Sequence, residues 1–389
     1  MISRIARLVC AAAVLLASTG HAGAAAEPLT INTVLSLTGQ AAFIGTTYQK
    51  TLLALENGIN KGGGIKGQPI HFAIQDDQSN AAVAVQLVSG LIAQHVSAIF
   101  GPNLAATCRA VAPLLNNGPM EYCLSPSLHA PKGSYMFSVG VDTRDQCAVI
   151  VRYLREKGLH NFAMIVTTDA SGQDADNGFA EALKAPENRD MRLIDVEHFN
   201  VTDPSVSAQL VKIMAAKPQA LITWATGTPM GTTLRGVQEN AIGIPIIMNN
   251  ANAVAPQMKT LATVIPPQLY SYGPEYMLAS ANSPRADPVD RTYFSSLKAA
   301  GVDSDYISGL VWDPALIVLD AYRAIGPAAT AEQIRDHILA LHNFRGVAGP
   351  FDFTDGSQRG LGQDDLMMMR WDPAKNVWIA ASKPRGTLR

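Results

Sequence analysis

Two short stretches hold the groups best suited to gripping a small molecule, Asn103-Leu104-Ala105 and Ser127-Leu128-His129. An asparagine amide and a serine hydroxyl both donate and accept hydrogen bonds, and a protonated imidazole adds charge. Unpaired N–H groups at the start of a helix favour an anion without any basic side chain. That chemistry is binding rather than turnover. A nucleophilic site needs an elbow between strand and helix, and the Gly-x-Ser-like candidates of this chain lie in loops without one. Asp76-Asp77, at a strand end, admits two readings: a carboxylate pair for acid–base work, or residues that cap a helix and brace a hinge. No partner clusters with them in sequence, so the chain is read as no enzyme and as needing no cofactor.

The elements that must carry the two stretches lie in Ser97 to His129. Ala98 to Phe100 is a short apolar strand stopped by Gly101-Pro102, and Ala105 to Leu115 keeps apolar residues at helical spacing. Met120 to Leu124 reads as the next buried strand. A parallel pair with a helical crossover leaves its loops at the carboxyl edge of the sheet, where open α/β sheets bind ligands. Both stretches therefore face one crevice.

Composition narrows the partners. A formal charge of −2 and 16% charged residues leave no basic stripe, so nucleic acid is not expected. The start, Met1 to Arg7, is basic, Leu8 to Ala17 is apolar, and Ala22 to Ala26 is rich in small residues. This is the pattern of an export signal over residues 1–26, cleaved near Ala24 or Ala26, which implies a periplasmic protein with no membrane insertion. About 360 residues then remain, enough for two domains. An oxidising compartment permits a disulfide, and Cys108 and Cys123 lie on adjacent elements, so these two are expected to join and Cys147 to stay a buried thiol. No cysteine or histidine pair stands at metal-ligand spacing, so no metal site is expected.

The full order of elements predicts an α/β protein with two doubly wound sheets. The first series has strands at 30–37, 70–75, 98–100 and 120–124. The second has helix 144–156, strand 162–166, helix 178–184, strand 191–196, a helix capped by Asp203 with Pro204 behind it and running to Ala216, strand 220–224, helix 230–240 and strand 244–248. Helices at 288–300, 307–325 and 331–341 follow. A strand-like 351–353 leads to a terminal hairpin of 366–371 with 377–380. The late helices return to the first domain, making both domains discontinuous.

Several segments, in order and spacing, resemble the leucine/isoleucine/valine-binding family of periplasmic solute-binding proteins. They are Thr33 to Gly39, Asn60 to Gly67, Asp76-Asp77, Phe100-Gly101-Pro102, Leu124-Ser125-Pro126 and Gly349 to Phe353. The resemblance implies a type I fold of two Rossmann-like lobes joined by three crossovers, closing on a solute and delivering it to the permease of an ABC importer. It implies lobe 1 over 27–140 and 275–348, lobe 2 over 141–274 and 349–389, and a monomer. Asn103, Leu104 and Ala105 match the loop that holds a ligand carboxylate, where Ala105 leaves only backbone donors. Ser127, Leu128 and His129 match the second such loop, with histidine a departure. Phe43 and Ile44 match the cover over the ligand, and Gly227-Thr228 a loop that usually supplies a tyrosine. Asn249-Asn250 stand where an acidic residue usually pairs the ligand's ammonium group.

Asparagine cannot neutralise a buried ammonium. On that ground the expected ligand is a small apolar carboxylate, such as a benzoate or phenylpropanoid acid, with His129 and backbone N–H groups on its carboxylate and Asn250 and Thr228 at its far end. His129 also admits a lobe-packing role. Asp174 or Asp176, on the loop before a helix, offers a route back to amino-acid binding. A ligand-sensing regulator on the same lobes is the other alternative.

Overall fold

The computed structural model describes residues 27–278 and 287–388. Its first sheet is wholly parallel: β1 (Leu29–Leu35), β2 (Ile70–Asp76), β3 (Ala98–Phe100), β4 (Met120–Cys123) and β5 (Met136–Ser138), in the order β2-β1-β3-β4-β5. The connecting helices are α1 (Ala42–Lys61), α2 (Ala81–Ala93) and α3 (Ala105–Val111). Order reverses at β1, which pairs with β2 on one side and β3 on the other, so the crevice of an open α/β sheet opens there. One face carries a file of aromatic rings, Phe72, Phe100, Tyr122, Phe137 and Phe353, with successive centroids 5.7–6.4 Å apart. Such spacing suits offset and edge contacts.

The second unit interleaves α4 (Thr143–Glu156), β6 (Asn161–Thr167), α5 (Ala170–Lys184), β7 (Arg192–Phe199), α6 (Ser207–Ala215), β8 (Ala220–Trp224), α7 (Thr228–Glu239), β9 (Ile246–Met248), α8 (Ala255–Thr260) and β10 (Leu269–Gly273). Its sheet runs β14-β13-β10-β9-β8-β6-β7, with β13 (Met367–Asp372) and β14 (Val377–Pro384) as the antiparallel terminal hairpin. Strands β6 and β8 are continuous apolar runs because helices cover both faces.

Between the units, α9 (Pro288–Ala300), α10 (Tyr306–Ile325) and α11 (Ala331–Leu339) return the chain to the first sheet. Asp305 starts α10 with a reciprocal cap: its Oδ1 accepts from the Ser308 N–H at 2.9 Å, and its own N–H donates to Ser308 Oγ at 2.8 Å. That cap fixes Tyr306 at the rim of the crevice. The ribbon of β11 (Phe344–Arg345) and β12 (Pro350–Phe351) and the Phe353 ring against Phe137 keep the chain with the first sheet through 353.

Other differences have local causes. Strands β5 and β10 were not anticipated, since one is three residues long and the other follows Pro266-Pro267. Helix α5 begins at Ala170 rather than Gly178; Asp169 caps it by accepting from the Gly172 N–H at 3.0 Å. Asp203 does not cap a helix: its Oδ2 accepts from the Asn200 N–H at 2.8 Å, closing a turn, and α6 starts at Ser207 without a side-chain cap. The stretch expected as one helix to Leu115 is α3 followed by a 3-10 turn at Ala112–Leu115, which begins before Pro113. The export signal lies outside the described residues. No helix of the described residues is long and apolar enough to cross a membrane.

Candidate functional site

The carboxyl ends of β1, β3 and β4 face those of β6, β8 and β9 across one cleft. The gap amounts to about 750 Å³ with its open mouth included.

The first wall is built from three loops. Asp76 and Asp77 brace the loop after β1, and neither works as an acid–base pair or caps a helix. Asp76 Oδ1 accepts from the Leu37 N–H at 2.8 Å, and Asp77 Oδ1 accepts from Ser36 Oγ at 2.6 Å. The α2 cap is Asn80 instead. This bracing sets Gln40 and Ile44 against the cleft. In the next loop Asn103 Oδ1 accepts from the Ser36 N–H at 2.7 Å, so the amide orientation is fixed, and its buried Nδ2 finds no partner. Such a group costs about 1–3 kcal/mol when nothing accepts from it. The Leu104 N–H is already spent on Thr107 Oγ1 at 3.2 Å, which leaves the first-turn amides of Ala105 and Ala106 to face a ligand. The third loop contributes Leu124, Ser125 and Ser127, and Tyr48 from α1 donates its hydroxyl to the Leu124 carbonyl at 3.2 Å.

Residues of the second unit and of α10 make the opposite wall. Trp224 stacks on Tyr272 with ring centroids 6.3 Å apart and donates its Nε1 to Ser171 Oγ at 3.2 Å. Tyr272 donates to Gln146 Oε1 at 3.0 Å, and Gln146 donates to the Val141 carbonyl at 2.7 Å, so both ends of that amide are engaged. Asn249 accepts from Asn252, which in turn accepts from the Gly227 N–H, tying two loops together. Asn250 lies buried beside the Tyr306 phenol, and its Nδ2 has no hydrogen-bond partner. Asp169 is the one charged side chain in the wall among the described residues. Its Oδ1 is used by Thr167 and Gly172, at 2.9 and 3.0 Å.

Of the residues singled out from the sequence, Ile44, Asn103, Leu104, Ala105, Ser127 and Asn250 meet in this cleft. Five others do not line it. Phe43 is half-buried beside Gly227, and Gly227 itself packs on the Gln40 carbonyl across the gap. Thr228 is exposed at the start of α7. Leu128 is buried in the apolar layer around Val34 and Val111. His129 turns away from the cleft: its ring nitrogens meet Asp142 Oδ2 at 2.9 Å and Asp174 Oδ1 at 2.6 Å. Asp174 is thereby committed, and Asp176 meets His198 at 2.9 Å, so neither lines the cleft.

Sequence reasoning missed Tyr48, Gln146, Asp169, Trp224 and Tyr306, which come from distant parts of the chain. Asp169 had a usable signal, an Asp three residues past a predicted strand, where a helix cap facing the carboxyl edge belongs.

Cys108 and Cys123 are joined, and Cys147 is free and buried. Glu121 lies within 4.8 Å of both sulfurs. The bond consumes both thiols, so that cluster is no metal site.

A family model described as periplasmic binding protein matches residues 28–376. Among curated relatives, the Leu/Ile/Val-binding protein homolog 3 of Brucella melitensis is 27% identical over 207 residues, 51% of this chain and 55% of that protein. The homolog 4 of Brucella abortus is 36% identical over 94 residues, 24% of this chain and 22% of that protein. The chain thus spans about half, or less, of the length of the curated relatives it matches. Among solved structures, an extracellular ligand-binding receptor of Rhodopseudomonas palustris aligns with a TM-score of 0.79 at 20% identity, over 90% of this chain and 99% of that one. The LivJ substrate-binding protein of Streptococcus pneumoniae, in complex with isoleucine, aligns with a TM-score of 0.74 at 20% identity, over 91% and 99%. These two likenesses carry the fold: two lobes of the type I periplasmic binding protein.

Proposed function

The chain belongs to the periplasmic binding protein family, and from that premise we propose that it captures a small amino acid with an apolar side chain between two closing lobes. The lobes are built on the five-stranded and the seven-stranded sheet, and the cargo passes to the membrane permease of an ABC importer. Export to the periplasm and cleavage near Ala24 or Ala26 belong to the same reading.

The observation that carries it is the charge balance of the cleft. Among the described residues the wall offers one carboxylate, Asp169, and no lysine, arginine or histidine. A zwitterion suits such a wall: its ammonium meets Asp169, while its carboxylate takes the Asn103 amide, the Ser127 hydroxyl and the amides of Ala105 and Ala106. Hydrogen bonds to a charged group contribute about 1.5–3 kcal/mol each. Ile44, Leu124, Ile307 and Leu310 then offer an apolar side chain its surroundings. The names of the Brucella relatives and the isoleucine in the pneumococcal structure point the same way.

An aromatic carboxylate is the second reading, favoured by Trp224 in the wall and by the amide of Asn250 where related proteins carry an acid. It lost its anchor when His129 turned out of the cleft, and its charge would share the wall with Asp169 without a cation. Calorimetric titration of ligand-stripped protein decides: leucine, isoleucine or valine should bind more tightly than benzoate or phenylpropanoate. The reverse order rejects the amino-acid reading.

A further inference from the structure

Asp174, on α5 of the second unit, reaches the loop after β4 in the first. Its Oδ1 stands 2.6 Å from His129 Nε2 and 3.4 Å from the Arg109 guanidinium of α3. The other ring nitrogen of His129 lies 2.9 Å from Asp142 Oδ2, at the cap of α4. Arg359, from the last passage between the units, lies 3.6 Å from the same oxygen. Five side chains thus alternate in sign across the gap: Arg359, Asp142, His129, Asp174 and Arg109. A neutral imidazole has one N–H, so one of its nitrogens would turn a lone pair toward a carboxylate. Only the doubly protonated ring satisfies both contacts. Asp174 is 3% exposed, which leaves little water to soften a mismatch.

We propose that His129 is a proton-operated latch: lobe closure brings Asp174 onto its ring and takes up a proton there, so solute capture is coupled to proton uptake. The inference rests on the reading of a closing binding protein, whatever its solute.

Hydrogen bonds donated to Asp142 and then to Asp174, against an opposing effect of burial, raise the closed-state imidazolium to about 9. Opening withdraws Asp174 and takes the ring part of the way back to its ordinary value of about 6.5, the Asp142 contact remaining. The closed form holds its proton more tightly, so its advantage is complete below about pH 6.5 and is lost as pH rises toward 9. Two neighbours are held outside that window. Burial would raise Asp142, but the His129 hydrogen bond and the Arg359 charge hold it down to about 2. Burial and both carboxylates push the Cys147 thiol up. Guanidinium groups in proteins stay charged.

Calorimetry with leucine at pH 7.5–8, in buffers of different ionisation enthalpy, counts the protons. The wild type should take up roughly half to one proton per leucine bound, and its affinity should fall several-fold from pH 7 to pH 9. His129→Gln and Asp174→Asn should each take up none and bind with pH-independent affinity. A wild type with no uptake and a flat affinity overturns the latch. If leucine, isoleucine and valine give no heat, the amino-acid reading has failed, and the latch is read without solute by small-angle scattering. The wild type should then be more compact at pH 6 than at pH 10, and His129→Gln should not change. Equal wild-type dimensions at both pH values overturn the latch.

Discussion

A Cβ built on Gly227 would fall 2.5 Å from the carbonyl oxygen of Gln40, across the cleft. The glycine also sits at φ 93°, a backbone region that side chains strain to enter. Gly227→Ala should therefore hold the lobes apart by the width of a methyl group. Ligand affinity should drop at least ~10-fold, from a contact cost of about 1–3 kcal/mol. Scattering should record a smaller compaction on saturation than in the wild type, and full compaction would disprove the contact's role.

Asn103→Asp keeps the acceptor for the Ser36 N–H but replaces the free Nδ2 with a negative oxygen. Affinity for any carboxylate solute should fall on the order of 100-fold, the loss of one charge-assisted bond plus like-charge repulsion. The melting temperature should move far less than the affinity. Unchanged binding by titration would mean that the solute's carboxylate lies elsewhere.

Asp169→Asn separates the two ligand readings, because asparagine still caps α5 while the negative charge is gone. Binding of leucine should weaken by about 2 kcal/mol or more, and binding of a simple carboxylate should hold or improve. Equal losses for both ligands in parallel titrations would remove Asp169 from the ammonium site.

Glu121 has no hydrogen-bond partner for either carboxylate oxygen, and burial pushes its pKa well above the ordinary range. Below the unfolded-state value the acid is neutral in both states and costs little. As pH rises past that value, the unfolded chain ionises while the folded site resists, so stability is lost. Glu121→Met should therefore raise the melting temperature by a few degrees at pH 7–8 and by less at pH 4. A gain that is equal at both pH values would contradict the assignment.

For a chain starting at residue 27, thiol titration of unfolded, unreduced protein should find one free thiol, Cys147. Reduction should lower stability by about 3 kcal/mol for a loop of this length.

The fold was legible because helices and buried strands write their periods into long segments, and α9 and α10 were placed to within a residue. Three residues of β5 carry no period to read, and the first turns of α5, Ala-Ser-Gly-Gln-Asp-Ala-Asp, look like a polar loop. That hidden turn carries Asp174. The loops that meet in the cleft were legible from their place after strands. The direction of a side chain within a loop was not, since it depends on partners far along the chain: Asp174 for His129 and Ser36 for Asn103.

The bond between Cys108 and Cys123 joins α3, which opens at Ala105, to the strand that ends just before Leu124. Two stretches of the first wall are thus fastened to each other before any solute arrives, and little of their freedom remains to be lost on capture. The opposite wall has no such fastening among the described residues. A lineage that exchanged one cargo for another could keep the fastened half, the proposed carboxylate side, and rewrite Asp169, Trp224 and Asn250. The molecule divides into a constant half and an editable one.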